Sequence, residues 1–287
     1  MLNGWNLWFK LHGDTVQGHK IVSQQEDSAG DPTTTLTKAR QLIQQNQSKA
    51  IVGPLTAAEG YALAGLMQQN PNVIGLAPVT SSDDLSQRKR VQNFIRTGGW
   101  QSSTPTQPAG NWAADRGMKR VATLCADYAF GYEQCGGFAN TFTDRGGQVV
   151  KQLWAPMGTA DYSSYLAQID PKSVDGVFVS TVGADSPRFL KAWNQLGLKG
   201  KVPLITGETT LEQSTLRGIN SDDPVGLTSF GHYAEGSNDP ATQDFVSQYQ
   251  KAYGQIPSYY SCATYTAAQW LTQALNEAHG DLSDTKR

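Results

Sequence analysis

The sequence predicts an α/β protein of two lobes, each built on a parallel sheet, and three observations carry that expectation. Short apolar runs of strand length alternate with longer amphipathic runs of helix length, which is the punctuation of βαβ units. The rhythm breaks once, in the Gly-, Ser-, Thr- and Pro-rich stretch Gly98 to Pro108, and then restarts. At 287 residues the chain exceeds the usual size of a single layered unit.

Asn3 to His12 carries Leu7, Phe9 and Leu11 with two tryptophans, a pattern that suits a buried helix. Lys20 to Gln25 reads as a short extended run. Asp31-Pro32 then supplies a cap and a first-turn proline for a helix over Thr33 to Gln45. Ala50 to Val52 is the next strand, Ala57 to Gln69 the next helix, and Val73 to Ala77 a strand closed by Pro78. After the break come strands at Arg120 to Cys125, Val149 to Trp154, Val174 to Ser180, Val202 to Thr206 and Val225 to Phe230. The helices between them are read at Gly131 to Arg145, Tyr162 to Ile169 and Ser186 to Leu196. Only helices follow, at Pro240 to Tyr253 and Ser261 to Ala278, so the chain returns to the first lobe.

Composition narrows the function. Lys plus Arg number 23 against 25 Asp plus Glu, without a basic stripe, which argues against nucleic acid or an anionic membrane surface as partner. No apolar run approaches bilayer length, which argues against direct membrane insertion. Cys125, Cys135 and Cys262 lack the spacing of a zinc site or of a disulfide framework. One bridge is open to them, and the reading adopted is three buried small apolar residues. No Gly-x-Ser-x-Gly elbow, Walker loop or His-Glu-x-x-His is present, and His12, His19, His232 and His279 lie outside any motif, so no catalytic residue, cofactor or metal is assigned.

Ligands of parallel α/β sheets sit beyond the carboxyl ends of strands, so the residues just after each strand are the candidates. The first lobe contributes Thr56 and Ala57, at the Gly53-Pro54 turn into a helix, and Thr80 and Ser81 after Pro78. From the second come Asp127, Tyr128 and Phe130, then Gly183 and Asp185, then Glu208 and Tyr233. Helix N–H groups and small hydroxyls suit a carboxylate, while the rings suit an apolar body. Trp100, in the break between lobes, is a further candidate for lining the cleft or bracing the crossover.

The ordered set Asp31-Pro, Ile51-Val-Gly-Pro, Ala77-Pro-Val-Thr-Ser-Ser, Phe94-Ile-Arg-Thr97, Asp127-Tyr-Ala-Phe-Gly-Tyr132, Gly146-Gly-Gln-Val-Val150, Leu196-Gly-Leu-Lys199, Asp239-Pro240 and Tyr253-Gly254 resembles the leucine-binding-protein type of ABC-transporter substrate-binding proteins. Asp127 to Tyr132, taken with Leu153 to Tyr162, is most similar to members that carry aromatic acids such as benzoate. The resemblance implies the type I periplasmic binding protein fold, two Rossmann-like lobes joined by a hinge that closes on the ligand. It places residues 1–98 in lobe 1, 99–233 in lobe 2, and 234–287 again in lobe 1.

It further implies that Thr56, Ala57, Thr80 and Ser81 grip the carboxylate, that Tyr128, Phe130 and the loop near Gly183 form the opposite wall, and that Glu208 divides amino-acid binders from aromatic-acid binders. The implied partners are a small carboxylate ligand and a membrane permease, and the implied location is the periplasm or the extracellular surface. Against that pattern the sequence opens at the first helix, without the signal peptide and first strand of lobe 1, and stops before the segments that complete the second lobe; a shortened product is the expectation. Two other classes stay open at this point: a ligand-sensing regulatory domain of the same fold, and an α/β hydrolase or nucleotide-dependent enzyme, which rests on fold class alone.

Overall fold

The computed structural model describes residues 1–98, 101–220, 222 and 224–281. It begins with α1 (Leu2–His12), whose inward face buries Gly4, Trp5 and Leu7. A two-residue hairpin follows, β1 (Thr15–Val16) and β2 (His19–Lys20), paired antiparallel. The extended run expected over Lys20 to Gln25 therefore ends at Lys20. Beyond it, among the described residues, no strand pairs with Ile21 to Gln25, and Ser23 receives the Trp5 indole N–H at 2.7 Å.

The next helix, α2 (Pro32–Gln44), starts as its sequence dictates: Asp31 accepts the Thr34 N–H, and Pro32 occupies the first turn, where a missing N–H costs nothing. Then come β3 (Ala50–Val52), α3 (Ala57–Gln69), β4 (Ile74–Leu76) and β5 (Phe94–Ile95). The three strands form a parallel sheet in the order β3-β4-β5. Leu63, Met67 and Phe94 lie in the core between sheet and helices.

The stretch read as an irregular crossover, Gly98 to Pro108, holds a 3-10 turn over Thr104–Thr106 and ends inside the first turn of α4 (Gln107–Asp115), a helix that the sequence reading lacked. Pro108 stands in the first turn of this helix, where proline starts a helix as readily as it punctuates a loop.

The alternation then resumes with β6 (Arg120–Ala126), α5 (Ala129–Asp144), β7 (Gln148–Ala155), α6 (Ser163–Leu166), β8 (Gly176–Ser180), α7 (Asp185–Gln195), β9 (Leu204–Gly207), α8 (Gln213–Arg217) and β10 (Thr228–Phe230). The helix expected over Tyr162 to Ile169 is a single turn, and α8 is an addition that the sequence reading lacked. All five strands run parallel in the order β10-β9-β8-β6-β7. Both faces are covered, so β6 reads as a continuous buried run: Ala122 and Leu124 join the core with Val179, Leu190 and Trp193, while Val121 and Cys125 join the one with Phe138, Phe142 and Phe178.

Cys125, next to last in β6, faces Cys135 on α5 with a Cα–Cα distance of 6.3 Å, and the two form a disulfide. This corrects the reading of all three cysteines as apolar filler. The strand-turn-helix geometry brings the pair together, and an odd cysteine count conceals it. Cys262 is the free cysteine, half-buried, its thiol pushed up to about 11 by burial.

The last elements are α9 (Pro240–Tyr253) and α10 (Tyr259–Glu277). α1 packs along α10, and a Cβ at Gly4 would stand 1.9 Å from the Ser261 carbonyl oxygen, so only glycine permits that approach. The chain divides into two compact units, Met1–Trp100 with Tyr233–Arg287, and Gln101–His232. Tyr233 therefore belongs to the first unit rather than closing the second. Among the described residues no helix is long and apolar enough to cross a membrane.

Candidate ligand-binding site

In the first unit the candidates cluster where β3, β4 and β5 end. β3 leaves through Gly53 and a cis Pro54 and enters α3 with Thr56 as its cap. The Thr-x-x-Glu spacing forms a full capping box: the Glu59 N–H donates to Thr56 Oγ1 at 3.3 Å, and the Thr56 N–H donates to Glu59 Oε2 at 2.8 Å. Glu59 is fully buried and also accepts the Ser28 hydroxyl at 2.6 Å and the Thr35 hydroxyl at 3.0 Å. Sequence reasoning saw the threonine cap and missed this carboxylate, although the four-residue signature marks it.

The consequence is that Thr56 serves the helix first. What the turn offers an anion is the backbone N–H groups of Ala57 and Ala58, which a first helical turn leaves without intrahelical partners. Thr80 is likewise engaged, its hydroxyl donating to the Thr56 carbonyl at 2.9 Å, so it ties the β4 end to the β3 end. Ser81 is buried beside it, and its carbonyl accepts from Arg96 Nη1 at 2.7 Å. Arg96 also reaches the Ser82 carbonyl at 3.0 Å and Ser86 Oγ at 2.9 Å, which makes it the clamp on this loop, a role not read from sequence.

Among the described residues of this unit, two buried hydroxyls have no hydrogen-bond partner: Thr97 just after β5, and Tyr233. Tyr233 packs against the cluster that contains Val79, next to Thr80, and its ring meets Phe245 edge-on with centroids 6.4 Å apart. Burial holds its phenol well above the ordinary tyrosine range, so it stays a neutral donor. Unsatisfied buried hydroxyls at strand ends are the groups a polar ligand would satisfy.

In the second unit the strand order reverses between β6 and β8, the point at which parallel sheets open a crevice beyond their carboxyl ends. Tyr128 and Phe130 stand at the end of β6 with near-parallel rings, centroids 6.0 Å apart; Phe130 is buried and Tyr128 half-buried. The disulfide pins both sides of that turn. Asp127 is exposed and accepts the Tyr132 hydroxyl. Gly183, beyond β8, has φ +58 and is exposed at the entry to α7.

Asp185 is a different case from the one expected. It is buried, accepts the Gly158 N–H at 2.9 Å and pairs with Arg188 at 3.2 Å, so it braces the loop after β7. Glu208, immediately after β9, is also buried and also occupied: Oε1 lies 2.7 Å from His232 Nδ1, and Oε2 accepts the His232 N–H at 2.9 Å. Trp100 lies outside the described residues. Among the described residues no group of three His, Cys, Asp or Glu could hold a metal ion.

The sequence profile of the family described as periplasmic binding proteins matches residues 1–287. The chain belongs to that family. Among curated relatives, Leu/Ile/Val-binding protein homolog 6 of Brucella melitensis is 28% identical over 255 residues, covering 88% of this chain and 64% of the relative. The chain thus spans under two thirds of the length of that relative.

Among solved structures, the solute-binding protein of an ABC transporter from Rhodopseudomonas palustris BisB5, in complex with 3,4-dihydroxybenzoic acid, is 26% identical with a TM-score of 0.90, over 98% of this chain and 76% of that one. A second, from Rhodopseudomonas palustris HaA2 with p-hydroxybenzoic acid, is 25% identical with a TM-score of 0.91, over 98% and 77%. The expected type I periplasmic binding protein fold is the fold of these neighbours, and the family and fold are those of substrate-binding proteins.

Proposed function

We propose that this chain is the ligand-capturing component of an ABC transporter and that it binds a small carboxylate with an apolar body. The observation that carries the reading is the Tyr128–Phe130 ring pair at the strand end where the order of the second sheet reverses. Taken by itself, the first unit carries at its own strand ends groups of the kind that hold a carboxylate: the Ala57 and Ala58 N–H groups, Ser81, and the Thr97 and Tyr233 hydroxyls. Neighbours of the same fold hold hydroxylated benzoic acids, and a curated relative is named for Leu, Ile and Val, which agrees with a carboxylate head on an apolar body.

Charge-assisted hydrogen bonds to the carboxylate contribute roughly 1.5–3 kcal/mol each, and ring contacts add on the order of 1 kcal/mol. A few together reach about −8 kcal/mol, or micromolar affinity. A membrane permease is the partner this reading requires. The buried Cys125–Cys135 disulfide supports an oxidising, extracytoplasmic location. A thermal-shift screen tests the proposal: a ligand at a hundred times its Kd stabilises by about 2.7 kcal/mol. Benzoates or hydrophobic amino acids should raise the melting temperature, and a flat response to both classes would remove the reading.

A further inference from the structure

We propose that His232 masks the Glu208 carboxylate and thereby sets the strand-end site of the second unit against ligands that bear an ammonium group. The inference rests on the carboxylate capture proposed above and names which carboxylates are taken. Glu208 follows β9 and His232 follows β10, neighbouring parallel strands whose register pairs Phe230 with Gly207. Both residues therefore lie at the carboxyl edge of the sheet, where ligands of this architecture bind.

An open, buried carboxylate there would be an obvious partner for the ammonium of an amino acid, since an unpaired buried charge is costly and a cation would relieve it. This carboxylate is not open. Its oxygens face two groups of one residue, the Nδ1 of the imidazole at 2.7 Å and the backbone N–H at 2.9 Å. The side chains are 22% and 7% exposed for His232 and Glu208, so the histidine is the more exposed member of the pair.

Gly231 completes the cover. A Cβ at that position would stand 2.2 Å from Glu208 Oε2 and 2.5 Å from Glu208 Cβ, so the backbone of residue 231 lies directly against the carboxylate. An ammonium pairing with these oxygens would compete with His232, whose Nδ1 and backbone N–H would then need other partners. An aromatic acid, which has no ammonium, makes no such demand, and ammonium-bearing ligands are disfavoured by the occupied partner rather than by missing contacts.

The test is calorimetric titration of 4-hydroxybenzoate and of leucine into the wild-type chain, His232→Ala, and the double variant His232→Ala/Glu208→Gln, each checked for folding by its melting curve. His232→Ser replaces the alanine variant if that one fails to fold. The wild-type chain is expected to bind leucine at least tenfold more weakly than 4-hydroxybenzoate. His232→Ala should gain at least tenfold in leucine affinity, and Glu208→Gln should abolish that gain. A folded histidine variant with unchanged leucine affinity overturns the masking, as does a wild-type chain that binds leucine as tightly as 4-hydroxybenzoate. If the wild type binds neither probe while His232→Ala binds leucine, the masking stands and the aromatic-acid reading falls; binding by no variant overturns both.

Discussion

Reducing the Cys125–Cys135 bridge should weaken both the stability of the second unit and its hold on ligand. The two cysteines are 10 residues apart in sequence, and the loop they close carries Asp127, Tyr128 and Phe130. For a loop of that length the chain-entropy account gives about 2.7 kcal/mol of stabilisation at 25 °C, by constraining the unfolded chain. For a unit the size of Gln101–His232, 1 kcal/mol corresponds to roughly 3–4 °C, so the melting temperature of its transition should fall by about 10 °C. Both sulfurs are buried, so reduction requires partial unfolding, and the reduced state must be verified by thiol counting. The assay is differential scanning calorimetry of oxidised and fully reduced protein, paired with a 4-hydroxybenzoate titration of each. Melting curves that coincide within about 2 °C, with both thiols free, would refute the claim that this covalent clasp holds the turn.

Other consequences follow from the same contacts. Glu59→Gln replaces a buried acceptor of three donors with a group that is half donor, and should destabilise the first unit by about 1–3 kcal/mol, read as a shift in the urea midpoint of its transition. Asp239 caps α9, and the Thr242 N–H and hydroxyl hold its carboxyl below the usual aspartate range. Its folded-state pKa is depressed, so the stability it adds is complete above the unfolded value near 4 and is lost as pH falls through the folded value. Asp239→Ala should therefore flatten the fall in melting temperature as pH drops below the unfolded value near 4, and an unchanged slope there would contradict the cap's role. Tyr128→Ala removes one ring of the strand-end pair and should lower aromatic-acid affinity about fivefold or more, with little change in melting temperature because that ring is only half-buried.

Much of the fold is legible wherever a residue does one local job. Asp31-Pro32 starts α2, Ala57 to Gln69 and Pro240 to Tyr253 bound their helices, and Pro78 follows β4. Legibility fails where one residue type has two uses. Pro108 marked a crossover and in fact opens α4; Ser23 sat in an apparent strand and in fact receives the Trp5 indole.

The site shows the same division. Strand-end position is visible in a sequence because turns and caps mark it, so Tyr128, Phe130, Thr80 and Ser81 could be named in advance. Occupancy is not visible, because it depends on residues distant in sequence. Asp185 is taken up by Gly158, Glu208 by His232, and the Thr80 hydroxyl by the Thr56 carbonyl. Arg96 went unnoticed because its partners, the Ser81 and Ser82 carbonyls, lie on a loop without periodicity, whereas Glu59 was marked by its capping box and only its ties to Ser28 and Thr35 were hidden.

The most direct test of the central claim is a calorimetric titration of the wild-type chain with 4-hydroxybenzoate at neutral pH. The account predicts saturable binding of one ligand per chain with a dissociation constant around the micromolar level. Heats indistinguishable from dilution across a hundredfold excess of ligand, from protein shown to be folded by its melting transition, would contradict it.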